Sequence, residues 1–115
     1  MPGCKVWDVV KVPFPYTNRP IVQRRPALVV ALPDAPGAPD LLWVLMVTSE
    51  TNRAWPGDVR ISDLGTAGLP APSIVRVAKI ATIEAQDAEP LGTLPDLDCT
   101  LVRRYLRAYL HPAFG

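Results

Sequence analysis

Residues 8–30, DVVKVPFPYTNRPIVQRRPALVV, read as two apolar strands with a proline-bearing polar connection between them. Val9, Val10 and Val12 dominate the first run; Ala27, Leu28, Val29 and Val30 dominate the second. β-Branched residues suit a pleated backbone, and Pro13, Pro15 and Pro20 rule out a long helix across the join. The connection carries Arg19, Arg24 and Arg25 in a chain whose formal net charge is only +1. Any affinity for a polyanion must therefore come from local clustering of arginine, not from bulk charge.

The same grammar runs outward. PALVVAL (26–32), LLWVLMVTS (41–49), DVRI (58–61) and SIVRVAKIATI (73–83) are Val/Ile/Leu-rich and bounded by Pro, Gly, Asp or Asn. ALVVAL and LLWVLMV are continuously apolar, as strands covered on both faces are. PDAPGAPD (33–40) is a turn. Fourteen prolines in 115 residues confine helix to the tail. There, Leu97, Leu101, Val102, Tyr105, Leu106, Tyr109 and Leu110 recur at helical spacing, with Arg103, Arg104 and Arg107 off that face. Asp96 or Asp98 is placed to cap this helix, His111 to sit in its last turn and Pro112 to stop it. The expected architecture is mainly β: one domain over residues 1–115, a small antiparallel barrel of about six strands with a C-terminal α-helix.

Composition narrows the chemistry. Apolar residues make up 49% and charged residues 20%, the balance of a soluble globular protein. No signal peptide or bilayer span of ~20 apolar residues is evident, so no membrane partner is expected and the cytoplasm is the expected location. Cys4 and Cys99 are too few for a disulfide framework. His111 is the only histidine, so neither a zinc site nor imidazole catalysis is expected, and no cofactor or metal.

Three segments carry polar groups where apolar ones would suffice. The arginine loop is either a solvated hairpin tip or an anion site, since guanidinium groups bind phosphate bidentately at any working pH. Arg25 is the pointed member, with Pro26 fixing the backbone behind it. The apolar third strand ends abruptly in Thr48, Ser49 and Glu50: hydroxyls that terminate a strand, or that hydrogen-bond a phosphate, with Glu50 as a candidate base. Arg76 and Lys79 interrupt SIVRVAKI, as a solvated sheet face or as phosphate contacts. Trp55, next to Arg53, is either a loop anchor or a platform for an unpaired base. Together these residues would hold a phosphodiester and let RNA use its own 2′-hydroxyl as nucleophile.

In this order, WDVVKVPFPYTN…RRPALVV, VLMVTSE and GLPAPSIVRVAKIATIE resemble the MazF/PemK/Kid family of bacterial toxin ribonucleases, from about Val6 to Glu84, and the helical tail also fits. The resemblance implies an SH3-like barrel of the CcdB/Kid/MazF kind, assembled as a homodimer. It implies metal-independent cleavage of single-stranded RNA, often mRNA, to 2′,3′-cyclic phosphate and 5′-hydroxyl ends. It also implies a cognate antitoxin protein that wraps the dimer and blocks the RNA groove. By the same resemblance Arg25 is the catalytic arginine, Thr48 the active-site threonine and Arg76 the proton donor used in the Kid branch. RNA contacts then fall to Arg19, Arg24, Ser49, Glu50, Arg53, Trp55 and Lys79. The chain departs from the Kid pattern at Ala78, where an aspartate is the base, and has no histidine in its first loop. Trp7 stands where the family has glycine. Two further readings stay open: a member that binds RNA or antitoxin without cutting, and a non-enzymatic gyrase poison of the CcdB kind.

Overall fold

In chain order the elements are β1 (Asp8–Phe14), β2 (Gln23–Ala31), β3 (Leu41–Ser49), β4 (Asp58–Arg60), α1 (Leu64–Ala67), β5 (Ser73–Glu84), β6 (Glu89–Thr93) and α2 (Asp96–Phe114). They come from a computed structural model that describes residues 3–14 and 23–115; Arg19 lies outside the described residues. The strands form one antiparallel sheet in the order β4-β5-β3-β2-β1-β6. This is the expected mainly-β fold with a C-terminal helix.

Continuous apolarity in the middle strands has the expected cause. Five successive residues of β3, Val44 to Thr48, are buried. One cluster, with Val9, Leu28, Leu45, Val47 and Val75, packs under α2 through Cys99 and Val102. The other, with Val10, Val12, Phe14, Val29, Val44 and Met46, fills the opposite face. Alternate residues of a strand point to opposite faces, so a strand between two cores must be apolar throughout.

Curvature comes from a bulge in β5. Leu45 pairs with Ile80 but Met46 pairs with Arg76, which leaves Val77, Ala78 and Lys79 as extra residues on β5. Such insertions bend a strand and let a sheet curl. Among the described residues the sheet does not close by hydrogen bonds: β4 and β6 are its edges. α1, capped at its N-terminus by Asp63, lies against β6. There a Cβ on Gly92 would sit 2.5 Å from the Ala67 carbonyl carbon, and one on Gly68 would meet the Leu91 carbonyl.

Sequence reasoning differs from the structure in several places. β1 starts at Asp8 rather than Lys5, because residues 5–8 form a turn in which the Asp8 amide donates to the Lys5 carbonyl at 3.1 Å. Its third residue, Trp7, has φ +79°. That is the left-handed position of a type II turn, where glycine is favoured. Trp7 is held there by its amide on the Val29 carbonyl (2.8 Å), by Leu94 donating to its carbonyl (2.9 Å), and by Arg103 5.0 Å over its ring. β6 escapes a pattern search because it is five residues long with Pro90 and Gly92 inside it; an edge strand tolerates that proline.

α2 is not capped by Asp96 or Asp98 side chains, and it continues through Pro112 to Phe114. Asp98 is buried and spends its carboxylate on Ser62, accepting from the amide at 2.8 Å and the hydroxyl at 3.0 Å. Its buried face is Asp98, Cys99 and Val102, whereas Leu97 and Leu101 of the expected apolar stripe are exposed. Among the described residues no helix is long and apolar enough to cross a membrane.

Candidate functional site

The strand registers decide what meets what. Residues directly opposite in an antiparallel pair share a face. Met46 is opposite both Ala27 and Arg76, and Arg76 is opposite Asp58. One row on, Thr48 is opposite Ile74, and the β2–β3 register carried two residues further brings Arg25 level with Thr48. Arg25, Thr48 and Arg76 therefore share one sheet face. With ~4.8 Å between strands and ~3.4 Å per residue, the Arg25 and Arg76 backbones stand about 12 Å apart.

The β2–β3 ladder begins only at Ala27, next to Pro26, which has no N–H to offer. Beyond it a cleft of about 160 Å³ opens, lined by Arg25, Pro26, Thr48, Ser49, Ser73 and the Leu69–Pro72 loop among others. Arg24 and Arg25 thus belong to β2 rather than to the connecting loop. Thr48 is 4% exposed and accepts a hydrogen bond at Oγ1 from the Asn52 side-chain amide. That contact uses one of the oxygen's two lone pairs and leaves the Thr48 O–H donor available at a residue that lines the cleft. Ser49 Oγ accepts from the Thr51 amide and shares a 2.8 Å hydrogen bond with the Thr51 hydroxyl. Ser73 donates to the Ala71 carbonyl at 2.8 Å, which shapes the far wall.

Arg76 is 7% exposed and heavily engaged. Its Nε and Nη2 donate to Asp58 at 3.2 and 3.0 Å, and Nη2 also donates to the Arg53 carbonyl at 2.7 Å. Its guanidinium carbon lies 4.3 Å from the Trp55 ring centroid. Trp55 donates its amide to Asp58 at 2.9 Å and packs on Arg76, with part of its ring exposed. Arg24 turns from the cleft across β1, donating to the Lys11 and Asp87 carbonyls and pairing with Glu89 at 3.2 Å. Glu50 pairs with Arg60 at 3.4 Å. Lys79, in the β5 bulge, sits 5.9 Å over the Phe14 ring.

Sequence reasoning missed Asn52, Asp58 and Ser73. Asn52 had a local signal, four residues past Thr48 at the end of an apolar strand. Asp58 had none, because its partner is eighteen residues away and is reached only by strand pairing.

Comparisons with known proteins fit this fold. MazF from Deinococcus radiodurans (Form-I) superposes with a TM-score of 0.69 at 21% identity, covering 94% of this chain and 96% of that one. The MazE-MazF structure (Form-II) from the same organism superposes with a TM-score of 0.64 at 24% identity, covering 93% and 94%. At such identities the likeness concerns the fold. No curated protein matches the chain significantly. The family model of the PemK-like, MazF-like toxin of type II toxin-antitoxin systems matches residues 5–110, and the chain belongs to that family.

Proposed function

We propose that the chain is a metal-independent endoribonuclease of single-stranded RNA. The observation that carries this reading is the cleft in which Arg25, Thr48 and Ser49 converge from two strands. Arg25 would bind the scissile phosphate and stabilise the extra charge of the phosphorane, while the Thr48 hydroxyl, aimed by Asn52, donates to a non-bridging oxygen. The 2′-oxygen attacks phosphorus and the P–O5′ bond breaks, giving a 2′,3′-cyclic phosphate and a 5′-hydroxyl end. Among the described residues, no carboxylate or imidazole lines this cleft. The 2′ proton therefore leaves through a non-bridging phosphate oxygen or water, and a proton ends on O5′. Ser49, Arg53 and the exposed part of Trp55 would contact the flanking RNA.

Two partners belong to this reading. A cognate antitoxin is supported by family membership and by the fold shared with the MazE-MazF structure. A homodimer is supported by an apolar groove of about 230 Å³ between β5 and α2, lined by Val77, Ala78, Ile80, Leu106, Tyr109 and Leu110. Light scattering that returns a monomer would remove the dimer.

The test is incubation with a long single-stranded RNA in EDTA, beside Arg25→Ala, followed by analysis of fragment ends. The expected result is discrete cuts bearing cyclic phosphate, slowed at least ~10²-fold in the variant. That no side-chain base lines the cleft among the described residues favours one second reading, an RNA binder that does not cut. RNA retention without fragments would establish it.

A further inference from the structure

The loop of residues 50–57, between β3 and β4, is fastened from three sides. At its start the Asn52 amide N–H donates to the Ser49 carbonyl at 3.1 Å, and the Asn52 side chain holds Thr48. In its middle Arg76 takes the Arg53 carbonyl and lies against Trp55. Asp58 accepts the Trp55 amide at 2.9 Å while it grips Arg76. At its end Tyr109 of α2 donates to the Pro56 carbonyl at 3.2 Å. Gly57, at φ +84°, leaves room for that phenol where any Cβ would collide with it.

Arg76 and Asp58 are the centre of this arrangement, and both are nearly dry: their side chains are 9% and 13% exposed. Three of the five guanidinium N–H donors are spent on Asp58 and Arg53. Turning Arg76 to a phosphate would take the cationic partner from a largely enclosed carboxylate and unstack Trp55. A side chain so committed holds structure better than it delivers a proton.

We propose that Arg76 and Asp58 form a latch that positions the 50–57 loop. Arg76 then acts on the reaction through Asn52 and Thr48, and on sequence preference through Arg53 and Trp55, without giving up a proton itself. Asp58 becomes a positioning residue. The proposal rests on the ribonuclease reading for its effect on RNA, but the latch itself does not.

The experiment compares the full chain with Asp58→Asn and with the exchanged pair Asp58→Arg/Arg76→Asp. Two readouts are taken: hydrogen exchange of the hydrogen-bonded Trp55 and residue-58 amides of the loop, and the distribution and kinetics of cuts on a mixed-sequence single-stranded RNA. In Asp58→Asn the loop amides exchange at least about tenfold faster, since one partner of a desolvated pair is gone. The kcat at the preferred sequence falls, KM for short generic RNA stays within about twofold, and the preference over other sequences narrows. The exchanged pair restores part of the protection and part of the preference. Wild-type loop protection and wild-type preference in Asp58→Asn would overturn the latch. Where the wild-type chain cuts, an exchanged pair with a protected loop and no cleavage would overturn the indirect role of Arg76, by making the guanidinium at position 76 a direct participant, while leaving the latch itself standing. If the wild-type chain cuts no RNA, the ribonuclease reading and the sequence-setting half fall together. Loop protection lost in Asp58→Asn and regained in the exchanged pair would still establish the latch; unchanged protection would refute it.

Discussion

Thr48→Val separates chemistry from stability at the candidate site. Valine keeps the shape of threonine and removes only the hydroxyl. The side chain is 4% exposed, so the new methyl meets packed surroundings, worth up to ~0.8 kcal/mol of burial. Against that stands the lost hydrogen bond from Asn52, worth about 1 kcal/mol net. Asn52 is itself exposed, so water takes up its amide. The two effects nearly cancel, and the variant should fold within about 1 kcal/mol of wild type. The reaction loses a preorganised donor, which costs ~10²–10³ in kcat. In the proposed reaction Arg25 would still hold the phosphate, so KM should barely move. Single-turnover cleavage of a labelled single-stranded RNA in EDTA, beside a thermal melt, reads both quantities. Asn52→Ala keeps the hydroxyl but not its aim and should lose about tenfold in kcat. A well-folded Thr48→Val protein that cuts at the wild-type rate would refute the role given to Thr48.

Other expectations concern stability. Asp98→Ala leaves the Ser62 amide and hydroxyl without their buried acceptor; chemical denaturation should show a loss of about 2–3 kcal/mol, and less for Asp98→Asn. Gly92→Ala drives a Cβ into the backbone of Thr66 and Ala67, which cannot yield as a side chain would; a loss of about 1–3 kcal/mol and a lower melting temperature should follow. Burial pushes the Cys99 thiol above its ordinary value of 9.0, outweighing the pull of Arg103. The unfolded chain therefore ionises first, so stability held below pH 9 falls as pH rises through the folded value. Cys99→Ala should flatten that alkaline decline in a pH series of denaturant melts.

Local pattern was enough for the parts of this molecule whose cause is local. The apolar runs of β2 and β3 announced strands covered on both faces, since every residue of a strand between two cores must be apolar. Helical spacing announced α2, though not its continuation through Pro112 to Phe114. Arg25 and Thr48 stood out because each ends an apolar run with a polar group. Short elements with weak pattern did not stand out: β6 with its proline and glycine, and the four-residue α1.

Partnerships were beyond reach, because strand register and helix rotation set them. Asp96 and Asp98 looked alike as caps until α2 docked and turned Asp98 onto Ser62. Arg24 and Arg25 are neighbours in the chain, yet Arg24 reaches across β1 to Glu89 while Arg25 lines the cleft beside Thr48. Arg76 carried the same charge in either reading. Only the pairing of β4 with β5 set Asp58 opposite it and Trp55 over it. Hydrophobic periodicity chooses the element and the face; which polar groups meet across that face depends on contacts between residues far apart in the chain, and no local pattern encodes them.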